Sequence, residues 1–66
     1  MDNMCLSVAY ELRGDEKIKL CEHVSGISLS PGRVHLCDIM GENFTFDGSL
    51  ASIDLMKNEI VIAPEK

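Results

Sequence analysis

Along most of this chain apolar residues recur at every second position, the period of a half-buried β-strand. Leu6, Val8, Tyr10 and Leu12 alternate with Ser7, Ala9 and Glu11. Ile18 and Leu20 then point one way, while Lys17, Lys19, Cys21 and His23 point the other. The apolar parity changes between Leu20 and Ile27, and Gly26 lies at the change, so a bulge or sharp bend is expected there. Turn chemistry separates the runs: Arg13-Gly14-Asp15-Glu16, Ser30-Pro31-Gly32-Arg33, Ile39 to Asn43, Asp47-Gly48 and Lys57-Asn58.

The second of these turns specifies a register. Pro at its second position and Gly at its third form a type II signature. If Ser30 and Arg33 pair across it, Leu29 faces Val34 and Ile27 faces Leu36, which stacks apolar on apolar. A tight two-residue hairpin prefers primed turns, so a wider loop is the competing expectation. Strands follow around Phe44–Phe46 and from Glu59 to Ala63, and Pro64 ends the last. Ser49 to Leu55 reads as a strand with Ile53 and Leu55 on one face, the competing expectation being a helical turn within Asp47 to Leu55. The pattern predicts an all-β fold of six to seven short strands: a small antiparallel barrel of SH3-like form, or two packed sheets.

With 66 residues the chain supports one small β domain over residues 1–66, with residues 1–3 read as a disordered lead and 64–66 as a tail. A domain of this size buries only about 60% of the surface its unfolded chain exposes, so it needs a staple. The three cysteines, Cys5, Cys21 and Cys37, are odd in number and form no CxxC pair, which turns attention from disulfides to oligomerisation. Neither a signal peptide nor a membrane span can be read in the sequence. The expectation is a cytoplasmic protein with reduced thiols.

The formal charge of −5, from 11 acidic and 6 basic residues, disfavours nucleic acid and anionic membranes as partners. Phe44 and Phe46 share a strand face where they can stack bases, but without a basic groove beside them they read as core. No nucleophile-base-acid triad, P-loop or HExxH motif is present, so no enzymatic activity is expected.

The soft donors remain. Cys21-x-His23 and His35-x-Cys37 each place two zinc-type ligands on one strand face. The hairpin register separates them. His35 falls opposite Ser28 and Cys37 opposite Gly26, which leaves His23 and Cys37 about 10 Å apart along the ribbon at roughly 3.3 Å per residue. Cys21 and Cys37 then act as small half-buried hydrophobes, with the histidines at the surface. Cys5 differs: strand parity groups it with Ser7, Ala9 and Glu11 on the polar side, where a thiolate can reach a metal, although composition and parity alone favour a cysteine merely tolerated near the terminus.

The segment Met4-Cys5-Leu6-Ser7-Val8-Ala9-Tyr10-Glu11 resembles the start of the CooT family of small nickel-binding proteins. Ser52 to Ile62 (SIDLMKNEIVI) resembles that family's closing hairpin, and Gly32 to Gly48 (GRVHLCDIMGENFTFDG) is similar to its central strands and turns. The resemblance runs from Met4 to Ile62. It implies a small dimeric β protein whose nickel site is built on the cysteine directly after the first methionine, near the dimer axis. Carried over, the site residues are Cys5 with Met4 as its neighbour, the metal is nickel, and the acceptor is a nickel enzyme such as carbon monoxide dehydrogenase. The chain departs from that pattern in one place: Met1-Asp2-Asn3 precede the expected start.

The chemistry has its own logic. Thiolate and nitrogen donors in a square plane suit Ni(II), and a two-fold axis doubles one cysteine per chain into two. Two other classes compete: an RNA-binding small barrel, the older label for relatives, and a metal-free structural or adaptor module that binds a partner through an exposed strand edge.

Overall fold

The computed structural model describes residues 6–64. Five strands form one closed barrel: β1 (Ser7–Arg13), β2 (Glu16–Ser30), β3 (Arg33–Asp38), β4 (Asn43–Asp54) and β5 (Glu59–Pro64). Each strand pairs with the next in sequence, always antiparallel. The ring closes through a parallel seam, in which Val8, Ala9, Tyr10 and Glu11 of β1 lie opposite Glu59, Ile60, Val61 and Ile62 of β5. Among the described residues none forms a helix long and apolar enough to cross a membrane.

The all-β expectation holds in its barrel form, and the strand count has a geometric explanation. β2 and β4 are long and bent, and each serves two neighbours in succession. Glu16 to Val24 of β2 pairs with β1, and Val24 to Ser30 pairs with β3. Asn43 to Asp47 of β4 pairs with β3, and Gly48 to Asp54 pairs with β5. The six to seven short strands read from the sequence are these segments before they are joined. Asp47-Gly48 is accordingly no turn but the corner of β4, and Ser49–Asp54 is strand instead of helix.

Gly48 shows why the corner needs a glycine. It is buried, with φ +143°, and a β-carbon there would stand 2.2 Å from the carbonyl oxygen of Ala63. No real contact is that short, so any side chain must push β5 outward.

The β2–β3 hairpin follows the predicted register pair by pair: Leu29 with Val34, Ser28 with His35, Ile27 with Leu36 and Gly26 with Cys37. Ser30 pairs directly with Arg33, so the loop is tight, and Gly32 takes the positive φ (+72°) that a type II turn requires at its third position. The expected irregularity near Gly26 is present as a register shift between Val24 and Gly26.

The core comprises Ala9, Cys21, Val24, Val34, Leu36, Ile60 and Ile62, with Leu20, Ile27, Phe44, Phe46 and Leu50 packed against it. Phe44 and Phe46 are thus packing residues, as their missing basic surroundings implied. Two parity expectations are corrected. Ala9, assigned to the polar side of β1, is fully buried, and Cys21, assigned to the polar side of β2, is also core. Register shifts on either side of Ala9 give β2 extra residues against β1, so Ala9 meets Cys21 while Tyr10 meets Lys19. A bulge of this kind re-aims the side chains beyond it. Ile18, expected inside, is 40% exposed.

Candidate functional site

Met4 and Cys5, the predicted metal-site pair, lie outside the described residues. The parity argument that set Cys5 on the solvent side is removed by the burial of Ala9, so its accessibility rests on the family resemblance alone. The other soft donors are placed and already engaged. Cys21 is buried, and its Sγ donates to the Glu22 carbonyl oxygen at 3.6 Å. Burial pushes its thiol pKa up, and the nearby carboxylates of Asp38, Glu22 and Glu42 push it further in the same direction. A thiol held protonated is a poor metal ligand at neutral pH.

Cys37 is half-buried, and its Sγ donates to the Asp38 carbonyl at 3.6 Å. His35, expected at the surface, is also half-buried. Its Nε2 lies 2.9 Å from Ser30 Oγ and its Nδ1 lies 3.1 Å from Thr45 Oγ1, so both ring nitrogens are occupied across three strands. His23 is exposed, sits at φ +60° and lies 3.6 Å from Glu22. Glu22 is in turn paired with Lys19, which lowers the carboxyl pKa and raises that of the ammonium. Among the described residues no group of three or more His, Cys, Asp or Glu side chains is arranged to hold a metal ion. The four-ligand Cys21, His23, His35 and Cys37 arrangement is not assembled.

What the fold does assemble lies where β1 begins. Leu6, the residue after Cys5, lines an apolar groove of about 500 Å³ together with Val24, Ile27, Ile53, Leu55 and Ile60. Two loops border it. Ser7 pairs with Val24, and Val24 pairs with Asp38, where the β3–β4 loop starts. On the other flank, Val8 donates its N–H to the carbonyl of Asn58 in the β4–β5 loop at 2.9 Å.

These loops are built alike, a likeness that the sequence reading missed. Asp38-Ile39-Met40 and Asp54-Leu55-Met56 share an Asp–aliphatic–Met pattern. Asp38 Oδ1 accepts the backbone N–H groups of Met40 and Glu42, both at 2.9 Å. Asp54 Oδ1 accepts those of Met56 and Lys57 at 3.0 and 3.1 Å. A carboxylate that bonds the backbone two residues on is the device of an Asx turn. The visible signal was the repeated Asp two residues before an exposed methionine.

The described residues thus form a closed barrel of five strands with an apolar groove beside the start of β1. The family model described as CO dehydrogenase accessory protein CooT matches residues 4–63, and the chain belongs to the CooT family. A search of curated proteins finds no match. Among solved structures, the crystal structure of a candidate CooT from Carboxydothermus hydrogenoformans superposes with a TM-score of 0.84 at 19% identity. The match covers 94% of this chain and 100% of that one. At that identity the likeness establishes the shared barrel.

Proposed function

We propose that this protein is a nickel carrier, a non-catalytic cytoplasmic homodimer that binds Ni(II) through Cys5 beside Met4 and passes it to carbon monoxide dehydrogenase. The observation that carries the reading is the span of the family match. It begins at Met4, so Cys5 is the second residue of the matched segment, which supports reading Cys5 as the metal thiol. The state of the other donors supports it: Cys21 is buried and held protonated, and Cys37 and His35 are engaged within the barrel.

One thiolate per chain fills too few positions for a square-planar ion, and a two-fold axis supplies the second. Backbone nitrogens complete the plane. Because the donors come from two chains, separating or tilting the subunits weakens the site, as a carrier requires. Loading releases thiol protons, so acid favours unloading.

Calorimetric titration of Ni(II) into the intact chain and into Cys5→Ser tests the assignment. Binding at one ion per two chains, lost in Cys5→Ser, is the expected result. If Cys5→Ser binds nickel as tightly as its parent, Cys5 is not the ligand.

A further inference from the structure

The imidazole of His35 ties three strands together on the outer face of the barrel. Val34 and Leu36, its neighbours in β3, fill the core, so His35 points the other way. The β2–β3 register sets Ser28 opposite His35 and brings Ser30, two residues on, to the same face beside the turn. The β3–β4 register sets Thr45 opposite His35 on the other flank. Ser30 Oγ then lies 2.9 Å from Nε2, and Thr45 Oγ1 lies 3.1 Å from Nδ1.

That order of contacts has a chemical sense. A serine becomes nucleophilic when a base within hydrogen-bond reach takes its proton and a third group orients the base. With Nδ1–H donated to Thr45 Oγ1, the Nε2 lone pair faces the Ser30 hydroxyl. Ser30 is exposed and open to a reagent, whereas His35 is half-buried and held on both sides. A recess of about 240 Å³ adjoins the pair, lined by Gly26, Ser28, His35, Cys37 and Asn43, and offers room for a small acyl group.

One feature limits the chemistry. Where a full triad has a carboxylate, this cluster has the neutral Thr45, which fixes the tautomer of His35 without stabilising an imidazolium. A weak base of this kind suffices when the leaving group is good. It serves poorly for hydrolysis of the serine ester that results, whose leaving group is an ordinary alkoxide. One transfer without turnover is the outcome, in keeping with a non-catalytic protein.

We infer that Ser30 is an acylation site that accepts an acyl group from an activated donor, an acyl phosphate or an acyl thioester, with His35 as the base and Thr45 as its positioning residue. Ser30 Oγ forms a bond to the acyl carbon, and the donor's carbon–oxygen or carbon–sulfur bond breaks. The electron pair of that bond leaves with the phosphate or thiolate. The Ser30 proton passes to His35 Nε2 and on to the leaving group or solvent. Neither Met4 nor Cys5 takes part, so the inference stands apart from the nickel reading.

The test is mass spectrometry with peptide mapping of the full chain after exposure to p-nitrophenyl acetate, acetyl phosphate or acetyl coenzyme A. One acetyl group per chain, on Ser30, is expected from the aryl ester and from at least one of the other two, which names the donor. Ser30→Ala should lose it, and His35→Gln should slow it about a hundredfold or more, as removal of a general base does. Thr45→Val should slow it and Thr45→Ser should restore it, a pattern that a merely structural role would not give. Circular dichroism confirms that each variant folds. Acetyl groups on lysines or on Cys37 with Ser30 unmodified overturn the inference. So does a Ser30 rate unchanged in His35→Gln, or a Ser30 that reacts with neither acetyl phosphate nor acetyl coenzyme A.

Discussion

Gly48 donates its backbone N–H to the carbonyl oxygen of Gly32 at 2.9 Å, tying the corner of β4 to the β2–β3 hairpin turn. The corner thus holds two strands at once, since Ala63 of β5 crowds the other side of the same residue. Replacing Gly48 by alanine adds a carbon where the Ala63 carbonyl already stands, at a φ that side chains seldom adopt. The expected cost is about 2–4 kcal/mol, combining overpacking with backbone strain. Urea unfolding of Gly48→Ala checks it, and a midpoint equal to the parent's would show that β5 yields freely.

The twin loops make a comparison within one molecule. Each aspartate supplies one oxygen to two backbone N–H groups. Asp38→Ala and Asp54→Ala should each lose about 1–2 kcal/mol, with the loop amides newly open to solvent. Asn in place of either Asp keeps an acceptor oxygen and should recover most of that loss. Hydrogen exchange at Met40, Glu42, Met56 and Lys57 reads the effect amide by amide. If exchange at those amides is unchanged, the carboxylates do not order the loops.

Much of this architecture was legible before any coordinates. Pro31-Gly32 set the β2–β3 register because turn geometry and apolar pairing agree there, and the pairs follow from it as far as Gly26 with Cys37, beyond which the register shifts. Parity failed on β1 and on the first half of β2, where alternation from a fixed start cannot register the extra residues of a bulge. Ala9 and Cys21 went to the wrong face for that reason. Asp47-Gly48 misled in another way, since a glycine chosen for close approach looks in sequence like one chosen for a turn. The groove at Leu6 was hidden because its walls come from β1, β2, β4 and β5, and closure of the ring creates it. The parallel seam between β1 and β5 joins the two ends of the chain, and no local signal announces it.

Cys21 carries a prediction about alkaline stability. Its thiol pKa is raised in the folded chain, first by burial and then by the carboxylates of Asp38, Glu22 and Glu42. Below the ordinary thiol value of roughly 8.5 both folded and unfolded chains keep the proton, and the contribution is fully present. As pH rises beyond it, the unfolded chain ionises first, which favours unfolding until the folded thiol ionises too. The parent should therefore lose stability as pH rises through and beyond the ordinary thiol value, and Cys21→Ala should lose less over that range. Urea midpoints at half-unit pH steps measure the difference. Parallel curves for the two proteins would mean that Cys21 is not the group responsible.

Leu36 offers a direct measure of how much one core residue contributes in so small a barrel. It is 1% exposed, lies opposite both Ile27 and Phe44, and is among the largest fully buried side chains. Truncation to alanine removes its transfer free energy and leaves a cavity, for an expected loss of about 2–4 kcal/mol. Total stability of a chain this short is on the order of 5 kcal/mol, so Leu36→Ala should stand near its unfolding transition at room temperature. A bound ligand raises stability by mass action. Added Ni(II) should therefore move the melting temperature of Leu36→Ala upward, and leave that of Leu36→Ala combined with Cys5→Ser where it was. The response should weaken as pH is lowered, by roughly tenfold in affinity per unit for each thiol that must lose its proton. Differential scanning fluorimetry at pH 6, 7 and 8 gives all of these comparisons. An equal nickel shift in the two backgrounds would remove Cys5 from the metal site while leaving the core measurement intact.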